Sequence, residues 1–324
     1  MKQSNFIKTL KGEKTKPTPV WFMRQAGRYL KEYREIKKKY SFLEMCKTPE
    51  LAAKITLMPL RLGVDVLIVF SDILIPLLSV GAKIEYKEGI QPKLNLSMDF
   101  EYKGLKDLEF LRNTIKLVKE ERPDIPLLGF AASPFTLLCY LFGGAEFSNI
   151  RAFMFSNPEK FSSLMKKTTQ LTIDYLNYQL DSGCDAVQLF DSWAGILPEK
   201  LYRKLVLPFV KEIADSIDAP LIYFVKDSCH INHLLKEIEA DCFSIDSRSS
   251  LKEVYSLTKK CVQGNLDNAI LLTDKDTIKK ETLNILKETE NIPHIFNLSH
   301  GVMQQTNPDN IRFLVDLVHN ETSK

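Results

Sequence analysis

The sequence predicts a single (β/α)8 (TIM) barrel over residues 1–324, and three observations predict it. Short apolar runs alternate with longer helical segments along the whole chain, and nearly every run ends in a polar cluster. No linker, low-complexity stretch or internal repeat divides the sequence. A length of 324 residues also suits one large barrel.

The expected strands are Val20–Met23, Val66–Phe70, Leu127–Phe130, Ala186–Phe190, Leu221–Val225, Cys242–Ile245, Cys261–Gln263 and His294–Leu298. Uninterrupted apolar runs of this kind belong to parallel strands covered on both faces. Helical spacing predicts helices over Thr48–Leu62, Leu105–Glu121, Pro158–Ser182, Pro198–Ile217 and Pro308–His319. Thr48-Pro49, Asn157-Pro158 and Asn307-Pro308 each place a capping residue before a proline at the first helical position. The segment Val80–Tyr102 alternates and holds Gly89 and Pro92, so a small hairpin excursion is expected after the second strand. Residues 1–18 form a polar, lysine-rich N-terminal segment. A doubly wound open sheet is the structural alternative. The polar strand ends favour the barrel, where all strand C-termini meet at one face.

Composition excludes several classes. With 44 Lys+Arg against 41 Asp+Glu the net charge is +3, which gives no case for nucleic acid. The six cysteines have no CxxC spacing, so a disulfide framework is not expected and a reducing compartment is. No secretory signal is visible. The most apolar stretch, Val66–Ala82, carries Asp72 and Pro76 at its middle. A membrane span needs ~20 apolar residues, and a central Asp costs roughly 2.5–3.5 kcal/mol. A soluble, cytoplasmic protein is expected.

Candidate functional residues sit at the strand ends. Arg24-Gln25-Ala26-Gly27-Arg28 puts two guanidiniums within five residues, a fork suited to carboxylates or phosphates, unless Glu32 or Glu35 neutralises it. Asp72 follows an uncharged buried run, where a carboxylate must be paired, hydrogen-bonded, functional or capping a helix. Gly129 to Thr136 is a tight strand-to-helix turn with Tyr140 beyond it, and Gln188 to Gly195 ends a strand in Asp191 and Ser192. His300 stands beside Gly301 after the last strand. Cys229-His230-x-x-His233 invites a metal, but it lacks a second ligand pair, so no metal is expected there. No phosphate-binding glycine loop is present.

These strings, in this order, resemble the uroporphyrinogen decarboxylase family. The resemblance rests on Pro19 to Tyr29, Ile68 to Leu74, Gly129 to Tyr140, Gln188 to Gly195, Val262 to Asp267 and Asn297 to Gly301, and it spans essentially the whole chain. It implies a cofactor-free barrel, usually a homodimer, that removes four acetate carboxyls from uroporphyrinogen III to give coproporphyrinogen III. Residue by residue, it implies that Arg24 and Arg28 bind substrate carboxylates and that Gln25, Ala26 and Gly27 offer backbone donors. Asp72 matches the family's central aspartate, and Tyr140, Ser192 and His300 match further substrate contacts. The sequence departs from the family pattern at Phe135 for Trp, Ser299 for Gly, Asn268 for Pro and Asp227 for Gly.

Loss of CO2 from an acetate on a pyrrole needs an electron sink, and protonating the ring provides one as an iminium-like cation. Asp72 is expected to stabilise that cation; Arg24, Arg28 or a bound water could deliver the proton. Three rivals stand beside this reading: a zinc-dependent corrinoid methyltransferase on a related barrel, a Schiff-base aldolase using Lys226, and a non-catalytic porphyrin-binding barrel.

Overall fold

Buried parallel strands need apolar side chains on both faces, and this chain supplies seven such strands joined in one sheet. The computed structural model describes residues 4–86, 91–144 and 147–323. Its strands are β1 (Leu67–Ile68), β2 (Lys83–Glu85), β3 (Lys93–Asn95), β4 (Leu127–Ala132), β5 (Ala186–Asp191), β6 (Leu221–Val225), β7 (Cys242–Ile245), β8 (Cys261–Leu266) and β9 (His294–Leu298). The main sheet runs β1-β4-β5-β6-β7-β8-β9, all parallel, while β2 and β3 pair antiparallel. That pair is the expected hairpin excursion; Gly89 lies outside the described residues.

The expected first strand, Val20–Met23, is reduced to a single parallel bridge between Val20 and Phe296. Phe296 donates to the Pro19 carbonyl at 2.8 Å, and the Val20 carbonyl accepts from Asp65 at 2.9 Å, two residues before β1. The segment therefore touches both edges of the sheet and curls it. It does not extend further as a ladder because the Met23 N–H goes to the Asn297 side chain at 3.2 Å, where the chain turns. Prolines trim the helices in the same local way. The expected Pro198–Ile217 helix breaks into Glu199–Leu205 and Leu207–Asp215, since Pro208 cannot donate back and crowds the preceding turn. Pro59 likewise converts the end of Thr48–Leu62 into a 3-10 turn over Met58–Leu62. Among the three caps, Asn307 accepts from Asp309 at 3.0 Å, whereas Thr48 and Asn157 make no side-chain cap.

Strand alternation divides the core in two. One set of side chains packs outward against the helices; the other, including Trp21, Leu128, Ile222, Cys261 and Ile295, fills the interior near the strand N-termini. The N-terminal segment contributes here in a way that its polarity hides. Ser4 caps a helix over Asn5–Leu10, and Phe6 and Leu10 are buried among those interior residues, closing that end of the sheet.

Phe6→Ala should therefore cost about 3–5 kcal/mol of stability, as for a large core truncation. Urea unfolding of the purified variant checks this, and a loss below ~1 kcal/mol would show that the helix only rests on the surface.

Candidate active site

At the opposite mouth the interior ends in an aromatic row. Phe190 meets Phe130 at 5.7 Å and Phe224 at 5.6 Å, both edge-on, and Phe190 and Ile68 remain partly exposed. These side chains form an apolar floor at the C-terminal ends of β1, β4, β5 and β6. The charged groups stand around it.

Arg24 is held in an unusual way. Its φ is +58°, a left-handed conformation that costs a non-glycine residue on the order of 1–2 kcal/mol. Its stem lies against Gly301, where an added Cβ would sit 2.4 Å from the Arg24 Cδ. The guanidinium is exposed and has no acceptor among the described residues. Neither carboxylate that could neutralise it does so: Glu32 pairs with Arg61 and Glu35 with Lys38. A strained backbone presenting an unpaired cation fits an anion-binding role.

Asp72 is partly buried. Burial pushes its carboxyl above the usual range, opposed by the Leu74 N–H, the Tyr86 hydroxyl and the charge of Arg24. The Leu74 bond to Oδ1 is 2.9 Å, a local turn at the end of the β1 segment. So the capping alternative is realised in part, and one oxygen is engaged by it. The Tyr86 hydroxyl is buried and close, yet it closes no hydrogen bond of regular geometry. Tyr86 follows β2 and stacks on Phe42 at 4.7 Å, so the hairpin excursion delivers it.

Tyr140 and His300 complete the group. Tyr140 stacks on Trp193 with centroids 4.4 Å apart, and burial together with the Asp72 charge pushes its hydroxyl up to about 12. His300 is pushed down to about 4, first by burial and then by Arg24 and Lys226. It is neutral at pH 7, and can offer a hydrogen bond but no charge.

The structure thus gathers Arg24, Asp72, Tyr140 and His300 around one mouth, with Arg24 acting on the other three. Arg28 lies beside Tyr33, and Ser192 follows β5 next to Trp193. Gln25 is committed to the loop itself: its N–H donates to Phe22 at 3.0 Å, and its side chain joins Phe22 to Val66. The Ala26 and Gly27 N–H groups have no backbone acceptor among the described residues. Sequence reading missed Tyr86, Phe190 and Gly301's fit to Arg24. Only Gly301 left a trace in sequence, as the glycine beside His300.

The motifs behind the rival readings are otherwise engaged. His230 meets the Leu197 carbonyl at 2.8 Å and His233 meets Glu199 at 3.2 Å; no group of three or more potential ligands gathers among the described residues. Lys226 is paired with Asp227 at 3.1 Å. Asp227 also pairs with Arg248, and its φ of +57° accounts for glycine at this place in the family pattern.

If burial governs His300, its ring resonances should titrate near 4 in NMR, identified by their loss in His300→Gln. A midpoint within half a unit of the ordinary ~6.5 would show that the ring is solvated.

The sequence model for the family described as uroporphyrinogen decarboxylase (URO-D) matches residues 1–321. Among curated proteins, the chain is 45% identical to the uroporphyrinogen decarboxylase of Thermodesulfovibrio yellowstonii, covering 97% of each chain. It is 39% identical to that of Aquifex aeolicus, covering 98% of each. Among solved structures, a methyltransferase from Methanosarcina mazei superposes with a TM-score of 0.82 at 19% identity, over 98% of both chains. A B12-independent methionine synthase from Shewanella follows at 0.63 and 9% identity, covering 95% of this chain and 96% of that one. At such identities these two show a shared fold alone.

Proposed function

The chain belongs to the uroporphyrinogen decarboxylase family, and from that premise we propose that Asp72 and Arg24 carry its reaction, with Arg28, Tyr140, Ser192 and His300 holding substrate. The protein is a carboxy-lyase of porphyrin and heme biosynthesis that decarboxylates the acetate side chains of uroporphyrinogen III to give coproporphyrinogen III. The observation that carries the site assignment is the Asp72 carboxyl, raised by burial, lying in the field of Arg24, whose guanidinium has no acceptor among the described residues.

Each residue does something its surroundings allow. Arg24 and Arg28 take carboxylates of the polyanionic substrate, with the Ala26 and Gly27 N–H groups beside them; Gln25 holds that loop in shape. The Asp72 carboxylate accepts the pyrrole N–H groups. A proton adds to the ring carbon next to the one bearing the acetate, giving an iminium cation. The carbon–carboxylate bond then breaks, its electron pair flows into the ring system, and CO2 leaves. The exocyclic carbon takes up a proton while the ring carbon releases one, so each CO2 lost consumes one net proton. Asp72 opposes the cation with a fixed negative charge. At about 4 Å and an effective dielectric near 20, that is worth ~4 kcal/mol, or on the order of 10³ in rate. The proton comes from Arg24, Arg28 or a bound water.

The reading extends to a cofactor-free (β/α)8 domain over 1–324, with Val20–Met23 as its eighth strand, working as a cytoplasmic homodimer. The two-sided bonding of Val20 supports closure. No helix among the described residues is long and apolar enough to cross a membrane. The net charge of +3 gives nucleic acid no general attraction.

Asp72→Asn decides between catalyst, carrier and cap. Turnover of uroporphyrinogen should fall on the order of 10³ with a smaller change in tetrapyrrole affinity. A group whose folded pKa is raised gives up stability as pH rises through it. The Asn variant should therefore be at least as stable as wild type at pH 7, with the difference shrinking in acid. In wild type, kcat/KM should be lost as pH falls through a value above the usual ~3.9 of aspartate. Near-normal turnover in the Asn variant would sink the assignment, since Asn caps as well as Asp.

Gly301→Ala tests Arg24 without touching it. The new Cβ must push the Arg24 stem aside, so KM should rise roughly tenfold, with little loss of stability. Unchanged kinetics would mean the guanidinium does not hold substrate.

A further inference from the structure

Asp191 is the most deeply buried carboxylate near the mouth, fully enclosed at the end of β5. Strand alternation turns it outward, away from the interior floor and into the layer between sheet and helices, so it does not touch substrate. Its Oδ1 accepts from the Ser133 hydroxyl at 2.5 Å and from the Thr136 hydroxyl at 2.9 Å. Its Oδ2 accepts from the Tyr223 hydroxyl at 2.8 Å, and Tyr202 in turn donates to Tyr223 at 3.0 Å. All three direct partners are neutral hydroxyls. A buried carboxylate without a cation is costly, and apolar replacement is the cheaper way to fill such a place.

Two of those hydroxyls belong to the first turn of the Pro134–Leu141 helix, which Ser133 caps. Thr136 and Tyr140 are four residues apart on that helix and share a face. Tyr140 stacks on Trp193, which follows Asp191 by two residues. One carboxylate therefore fixes both partners of the stack: Tyr140 through the helix start, and Ser192 and Trp193 through the chain.

We propose that Asp191 is a positioning residue for the decarboxylation, tying the Pro134–Leu141 helix to the end of β5 so that Tyr140 and Ser192 meet the substrate in register. The proposal deepens the decarboxylase reading and rests on it for its kinetic part. The Tyr223 arm of the same carboxylate serves as an internal control. It makes a bond of the same kind and burial but runs to β6 and not to the Pro134–Leu141 helix.

The test compares three variants of the whole protein. Thr136→Val removes one helix bond, Thr136→Ser restores the hydroxyl, and Tyr223→Phe removes the β6 bond. Misplacement by a fraction of an ångström to 1 Å should lower kcat/KM roughly 10- to 100-fold in Thr136→Val. Recovery is expected in Thr136→Ser, and Tyr223→Phe should stay within a few-fold of wild type despite a comparable fall in Tm. Trp193 emission, isolated by subtracting the Trp193→Phe spectrum, should shift in Thr136→Val and not in Tyr223→Phe. Equal kinetic and spectral responses to Thr136→Val and Tyr223→Phe would overturn the proposal, because they would mark Asp191 as a structural node only. An inactive wild type would refute the decarboxylase reading instead, and the Trp193 spectra would still decide whether Asp191 sets the stack.

Discussion

Removing a carboxylate from water raises its free energy unless hydrogen bonds or opposite charge make good the loss, and Asp72 is compensated only in part. One oxygen has the Leu74 N–H; beyond that there is a tyrosine hydroxyl that does not close a bond, and the field of Arg24. The balance leaves the carboxyl easier to protonate than an ordinary aspartate. If Asp72 acts as proposed, full compensation would make a quieter structure and a poorer catalyst, because a satisfied carboxylate has nothing further to gain from a cation. The unmet acceptor capacity is what a pyrrole N–H and a developing iminium charge can fill.

Holding such a group takes a rigid frame, and the frame is built from opposite ends. The Asn5–Leu10 helix closes the interior at the strand N-termini with Phe6 and Leu10. At the other end the sheet stops on Phe130, Phe190 and Phe224, of which Phe190 stays partly exposed and offers a pyrrole ring an apolar face. Arg24 holds its place only because its backbone accepts a left-handed turn and because Gly301 leaves room for its stem. Replacing either feature would relocate a guanidinium that has no other tether among the described residues.

The fold was legible wherever an element is defined by its own residues. The limits of β6, β7 and β9 and of the Pro158–Ser182 helix follow directly from apolar runs, proline and glycine. Val20–Met23 was not legible as a bridge, because its hydrogen bonding is settled by Asn297 and Asp65, hundreds and tens of residues away. Within the site, Arg24, Asp72, Tyr140 and His300 stood out as polar groups at strand ends, which is a local property. Tyr86 did not, since it reaches Asp72 only through the folding back of the hairpin. The state of His300 was equally hidden: nothing in Ser299-His300-Gly301 tells that burial and two cations keep the ring neutral.

That neutrality has a place in the chemistry. The substrate is a polyanion and the transition state carries a local cation, so the site must favour positive charge at its rim and negative charge at its centre. In the proposed assignment Arg24 meets the first demand and Asp72 the second, each within the other's field. A protonated His300 would add a second positive charge near the ring, strengthening carboxylate binding while raising the energy of the iminium. By like-charge repulsion Arg24 itself helps to hold His300 neutral, so the residue proposed to bind the substrate would also keep a competing cation out. On the proposed assignment, binding and catalysis are thereby divided between two groups, the arginine charge serving the carboxylates and the aspartate charge the pyrrole nitrogen.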